Sequence, residues 1–295
     1  MNARRHAAET ATYLSYRFMN WLGPILPTKS GRAFYQAVGR FSFRFAARTR
    51  GTVAANQAQV LGRPAEDPLV QASTREAFAL YARYWFDTFN VTGWSDERVM
   101  EHFRFEGAEH VEKGLADGKG VVIALPHTGN WDVGGRAMEV RVAPVVSVAE
   151  HLKPDRLFQL FLEHRRVLGM DIIDLASNHV GRQLIQRLEQ NRIVALVADR
   201  DLSGGGVEVE MFGRTRRMPA GPALLALSAG APLISGPTYT TREGWLEVLT
   251  PVSIEPMGRR KDDIIALTRA LAAAFEQAIS AAPPDWHLFQ PGWDP

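Results

Sequence analysis

Gly120-Val-Val-Ile-Ala-Leu-Pro-His-Thr-Gly-Asn-Trp-Asp132 is the stretch from which the rest of the chain can be read. Its five apolar residues, Val121 to Leu125, predict a strand buried on both faces, because a parallel strand under helices has no solvent side to alternate toward. A proline, a histidine and a glycine turn follow, and then a helical run over about 131–140. Side chains at such a handover sit at the mouth of an α/β sheet, where these folds hold their ligands. His127 and Asp132 are five apart, so across a turn their side chains can converge. A carboxylate beside an imidazole fixes its tautomer and supports it as a general base toward a hydroxyl. A lone histidine here is more often a helix cap, so the surrounding residues decide.

Outward from this unit, strands and helices alternate. Strands are expected at about 103–106, 143–148, 171–175 and 193–198, with helices at about 108–117, 155–168 and 180–190. That alternation predicts an α/β fold, with a central, mostly parallel β-sheet covered by helices on both faces. Farther on, Val207 to Phe212 alternates like a half-exposed strand, and Gly213 to Arg217 reads as a basic loop. Pro219 to Gly230 reads as a helix, Leu233 to Tyr239 and Trp245 to Leu249 as strands, and Lys261 to Ala282 as a closing helix. Pro64 and Pro68 mark the best boundary, giving an N-terminal helical segment over 1–66 and an α/β domain over 67–295.

The N-terminal segment is basic. Residues 1–50 carry nine Lys or Arg against the single acid Glu9, a local +8 that leaves −6 for the remainder of a chain whose total is +2. Such an arm is attracted to anionic surfaces. Residues 1–10 read as a flexible start. The apolar and aromatic run from Ala11 to Leu26 is interrupted by Arg17, Asn20, Gly23 and Pro24, and is short of the roughly 20 apolar residues that span a bilayer. It fits a helix lying in an interface, or one packed on its own domain. A second helix is expected over about 31–49, with Arg40, Arg44 and Arg48 on one face. The chain has no cysteine, which excludes disulfides, thiolate metal sites and a cysteine nucleophile. Its eight histidines show no HxxxH or HExxH pattern, so no metal and no cofactor are expected.

The motif HTGNWD, a His-x4-Asp after a hydrophobic strand, resembles the signature of the bacterial lipid acyltransferases. More narrowly it resembles the phosphatidylinositol mannoside acyltransferases, relatives of the lipid A lauroyl acyltransferases. Further blocks follow in order: AEHLKP from Ala149, Arg165 four before Gly169, ADRDL from Ala198, MFGRTRRMPAGPA from Met211, and the tryptophan-bearing tail PPDWHLFQPGWDP. The resemblance runs from about Tyr81 to the C-terminus and implies a glycerolipid acyltransferase-like fold. It implies His127 as general base with Asp132 as its orienting partner, and Glu150, Arg165, Asp199 and Arg200 at the substrate. Arg214, Arg216 and Arg217 are candidates for gripping a phosphate, or else a solvated hairpin tip. At the first acidic position of ADRDL the mannoside acyltransferases carry glutamate, and Asp199 is one methylene shorter.

The reaction implied is transfer of a long acyl group, palmitoyl first, from acyl-CoA as co-substrate to a hydroxyl of a membrane glycolipid. The implied acceptor is a mannose of phosphatidylinositol mannoside. The implied location is peripheral, on the cytoplasmic face of the cell membrane, against an anionic lipid surface. No G-x-S-x-G elbow is present, which favours direct attack by the bound alcohol. One competing reading is another lysophospholipid or lipid A type acyltransferase. Another is a glycosyltransferase using Asp199-Arg-Asp201 as a D-x-D. A third is a binding module built on the basic arm, although no nucleic-acid signature accompanies it.

Overall fold

A computed structural model describes residues 2–151, 153–202 and 204–293. Four helices come first: α1 (Asn2–Leu22), α2 (Thr28–Ser42), α3 (Ala47–Leu61) and α4 (Pro68–Asn90). α5 (Asp96–His102), β1 (Phe103–Glu106) and α6 (Ala108–Ala116) lead into β2 (Val121–Leu125) and α7 (Trp131–Arg141). Then come β3 (Val145–Ala149), α8 (Asp155–Val167), β4 (Asp171–Asp174), α9 (Val180–Glu189) and β5 (Ile193–Val197). The chain ends with β6 (Val207–Met211), β7 (Arg214–Met218), α10 (Gly221–Ala229), β8 (Leu233–Ser235), β9 (Thr238–Thr240), β10 (Trp245–Val248), β11 (Thr250–Val252) and α11 (Arg260–Ala281).

The central sheet has the order β11-β8-β2-β5-β3-β4 and is parallel apart from β11. A second sheet, β1-β10-β9, and the β6-β7 hairpin complete the strands. β2 shows why its sequence is apolar without a break. Val122 and Ala124 pack into one core with Leu188 of α9 and Leu271 and Phe275 of α11. Val121, Ile123 and Leu125 pack into the other with Val133 and Met138 of α7 and Trp245 of β10. Every side chain of the strand is buried, each such aliphatic contributing about 1.5–3 kcal/mol. α11 is long and apolar enough to cross a bilayer, yet Leu271, Phe275 and Ile279 are fully buried in the core.

The N-terminal helices clasp the α/β body. Arg32 of α2 and Arg83 of α4 share the buried carboxylate of Asp87, at 2.7 and 3.0 Å, and the Nη1 atoms of the two donate to the carbonyls of Glu243 and Thr241 beyond β9. From α3, Asn56 donates to the carbonyls of Leu288 and Gln290, and Gln57 to that of Pro283. The C-terminal tail is therefore held against α3.

Several local expectations are corrected. The flexible start is helical from Asn2. The single helix over 31–49 is two, because Phe43 turns inward onto Phe78 and Arg50 donates to its carbonyl. Arg40, Arg44 and Arg48 therefore do not form one helical stripe, and Arg40 pairs with Glu76. The expected basic loop at 213–217 is mostly strand β7, whose pairing with β6 the sequence pattern did not show. The strand expected over 233–239 divides at Gly236-Pro237 into β8 and β9, which join different sheets.

Candidate active site

Gly129, Asn130, Trp131 and Asp132 of the HTGNWD stretch have distinct structural tasks. Gly129 has φ near +57°, and a Cβ there would lie 2.3 Å from the Thr238 carbonyl oxygen, so only glycine fits. Asn130 caps α7, its Oδ1 accepting from the Val133 amide at 3.1 Å, while its Nδ2 donates to Thr88 and to the Tyr84 carbonyl. Trp131 packs on Tyr84, with centroids 4.3 Å apart, and meets the edge of the His127 ring. Asp132 is buried and accepts from Tyr84 Oη at 2.6 Å and from Arg165 Nε at 2.7 Å. Burial alone would lift its carboxyl, but Arg165 and the Tyr84 hydroxyl outweigh that and hold it below the ordinary value.

The partner of His127 is therefore not Asp132. It is Asp199, which stands just past β5 as His127 stands just past β2. Leu125 pairs with Val197 in the sheet, and two residues beyond each lie His127 and Asp199. Asp199 Oδ1 is bonded to His127 Nδ1, and its Oδ2 accepts from the His127 amide at 3.1 Å and from the Trp286 indole at 2.8 Å. Complete burial opposes the charge on Asp199, yet His127 and the indole keep the carboxyl well below the usual range. The expected pairing to Asp132 fails for a local reason: as the second residue of α7, Asp132 faces α4 and α8, not the strand end.

The C-terminal tail completes the site. The segment through Trp286 runs antiparallel to the motif: the Gly129 amide donates to the Asp285 carbonyl, and the His287 amide to that of His127 at 2.7 Å. His287 is buried with Nε2 against the Gly129 carbonyl, and burial lowers its pKa to about 3, so it is neutral. Beneath Asp199, Arg216 donates to its carbonyl oxygen and lies between Trp286 and Trp293, 5.9 and 5.3 Å from their centroids.

The three hairpin arginines thus do not act together. Strand alternation turns Arg216 inward, while Arg217 points out to the Gly204 carbonyl and Glu208, and Arg214 is exposed at the turn. Glu150, Arg165 and Arg200 do come together with His127 and Asp132 along one open groove, floored by Trp131 and rimmed by Gln290. The D-x-D carboxylates have separate tasks: Asp201 accepts from the Gly206 amide at 2.7 Å, while both oxygens of Asp199 are engaged at the dyad. Tyr84, Trp286 and His287 escaped the sequence reading of roles. Their one visible signal was aromatic residues in α4 and in the tail, which by itself does not say what they touch.

A half-exposed imidazole whose Nδ1 is held by a buried carboxylate presents Nε2 to the groove. That is the arrangement of a general base, with the carboxylate stabilising the imidazolium once formed. The sequence profile of the bacterial lipid A biosynthesis acyltransferases matches residues 2–294. The chain belongs to that family. It is similar to the phosphatidylinositol mannoside acyltransferase of Mycolicibacterium smegmatis, 37% identical over 88% of this chain and 86% of the relative. It is likewise 38% identical to that of Mycobacterium tuberculosis, over 81% of this chain and 75% of the relative. A lipid A biosynthesis acyltransferase of Haemophilus influenzae is 22% identical over 70% of the chain and 64% of the relative. The chain is accordingly an acyltransferase.

Proposed function

We propose that this acyltransferase moves a long acyl chain, palmitoyl first, from acyl-CoA to a mannose hydroxyl of a phosphatidylinositol mannoside. The observation that carries the reading is the His127–Asp199 dyad, with His127 opening on a groove that meets an apolar cavity at Trp131, Asp132 and Arg165. The names of the two mycobacterial relatives support the acceptor. His127 Nε2 takes the proton as the acceptor oxygen attacks the thioester carbonyl, forming the new C–O bond. Collapse of the tetrahedral intermediate breaks the C–S bond, and the imidazolium returns the proton to the departing thiolate. Asp199 holds the imidazole in one tautomer throughout. Glu150, Arg165 and Arg200 line the groove where a sugar and a phosphate diester would lie, and arginines suit phosphate by charge and geometry. The cavity walled by Leu125, Val197 and Met138 suits the chain.

The same reading places the enzyme peripherally on the cytoplasmic face of the membrane. Leu14, Phe18, Trp21 and Ile25 are exposed, and Phe34, Val38, Phe41 and Phe45 repeat the same four-three-four spacing, also exposed. Two apolar stripes beside Arg17, Lys29 and Arg44 are what an anionic lipid surface receives. The test is thiol release from palmitoyl-CoA with and without a mannosylated phosphoinositide, against His127→Ala. The chain has no cysteine to add background to a thiol reagent. Acceptor-dependent release lost in the variant supports the reading. Equal release with a lysophospholipid or a lipid A precursor reassigns the acceptor, and no release with any of them refutes the reaction.

A further inference from the structure

The apolar cavity lies between α7 and the sheet, walled by Ile123, Leu125, Ala195 and Val197 below and by Gly134 and Met138 above. It meets the groove at Trp131, Asp132 and Arg165, which line both. Three polar side chains interrupt its wall away from the groove: Ser147 on the β3 side, and Thr238 and Glu247, paired across β9 and β10. Thr238 and Glu247 are buried, and neither Thr238 Oγ1 nor Glu247 Oε2 has a hydrogen-bond partner among the described residues. Burial pushes the Glu247 carboxyl up to about 8, so near neutrality it is an uncharged donor and acceptor. Water bridging the hydroxyl and the acid satisfies both groups, whereas a methylene pressed against them satisfies neither.

We propose that Thr238 and Glu247 form a polar stop in this cavity, holding water at its inner wall and setting the longest acyl chain the enzyme accepts. The inference rests on the cavity being the acyl site, as argued above. Gly134 bears on it directly. A Cβ there would lie 3.3 Å from Thr238 Oγ1 and 3.6 Å from Glu247 Oε2, so the absent side chain leaves open the space in front of the pair. Gly135 differs: its Cβ would meet Met170 Sδ at 2.3 Å, so its smallness serves packing. Nothing else in the sheet face lining the cavity offers a chain a polar boundary except Ser147, on the β3 side.

The test is calorimetric binding, alongside thiol release, with saturated acyl-CoAs of graded length in steps of two carbons. The parent should bind each longer chain more tightly up to one length and then fall away. Gly134→Ala should weaken the longest accepted chain about tenfold and leave shorter ones unchanged, the scale of one methylene in an apolar pocket. Thr238→Val with Glu247→Met should extend the limit to longer chains, while Glu247→Gln, which keeps the polarity, should retain the parental limit. Should the double variant fail to fold by circular dichroism, Thr238→Val alone deletes one polar atom at constant shape and carries the comparison. The parental length profile in Gly134→Ala and in Thr238→Val overturns the stop, as does a parent that binds without any limit or binds no chain at all. A length limit that moves as expected without thiol release supports the stop and refutes the transferase reading instead.

Discussion

His127 Nδ1 is bonded to Asp199, 72 residues away, because their strands pair in parallel with Leu125 opposite Val197. The dyad is thus a property of sheet register. Asp199→Asn keeps the shape but offers His127 an amide, which no longer enforces the reactive tautomer or stabilises the imidazolium. Its kcat should fall about a thousandfold with KM little changed. Asp132→Asn leaves the dyad bonded and should lose far less rate. Steady-state thiol release decides between them, and a larger loss at Asp132 would refute the assignment.

Trp286 is a positioning residue. Its indole donates to Asp199 Oδ2 and so favours the charged carboxylate. Removing that donor in Trp286→Phe leaves the Asp199 carboxylate less firmly held beside His127 Nδ1, so kcat should fall while KM stays near the parental value. The rate at the optimum should drop roughly tenfold, in line with loss of a charge-assisted hydrogen bond. A parental kcat in Trp286→Phe would show that Trp286 only fills space.

Asp132 serves stability through Tyr84 and Arg165. Arg165→Met leaves the buried carboxylate with one donor and should cost about 3 kcal/mol in urea unfolding, against about 1–2 kcal/mol for Tyr84→Phe. Because both act on one carboxylate, the double variant should depart from the sum of the singles. Strict additivity would break this account.

Acid should destabilise the fold through His164, which is buried against Phe89, both ring nitrogens having no hydrogen-bond partner among the described residues. Burial lowers its pKa from 6.5 to about 4. The folded state holds it neutral while the unfolded chain takes up a proton first. Stability is therefore intact above pH 6.5 and lost as pH falls toward 4, by up to about 3 kcal/mol. His164→Met should flatten this limb by about one proton, read from urea midpoints at graded pH. His287, also buried and neutral, acts in the same direction.

Membrane docking is best tested by point substitution. Deleting residues 1–50 would remove Arg32 and leave the buried Asp87 carboxylate with only half of its arginine pair, so the fold itself would suffer. Trp21 and Phe41 are 66% and 58% exposed. Trp21→Ser with Phe41→Ser should leave circular dichroism unchanged and weaken sedimentation with anionic vesicles. Raising salt should weaken the parent's binding further. Undiminished binding would rule these stripes out as the contact.

The amino-acid sequence by itself determined what depends on near neighbours. The unbroken run Val121 to Leu125 called for a strand with two covered faces. Gly129 and Asn130 set the turn and cap that launch α7, and the alternation after Phe103 called for a parallel sheet. It also carried the resemblance to the acyltransferase family that the profile match bears out. Tertiary structure alone decided who touches whom. The five-position step from His127 to Asp132 suggested a pair, but the second residue of a helix points where the helix packs, and α7 aims Asp132 at Tyr84 and Arg165. The partner of His127 came from another strand end, and its supporting indole from 87 residues farther on. Arg216 turned inward because a hairpin formed where the local sequence reads as a charged loop. Such contacts are set by register and by the burial of distant aromatic residues, and neither is encoded in spacing along the chain.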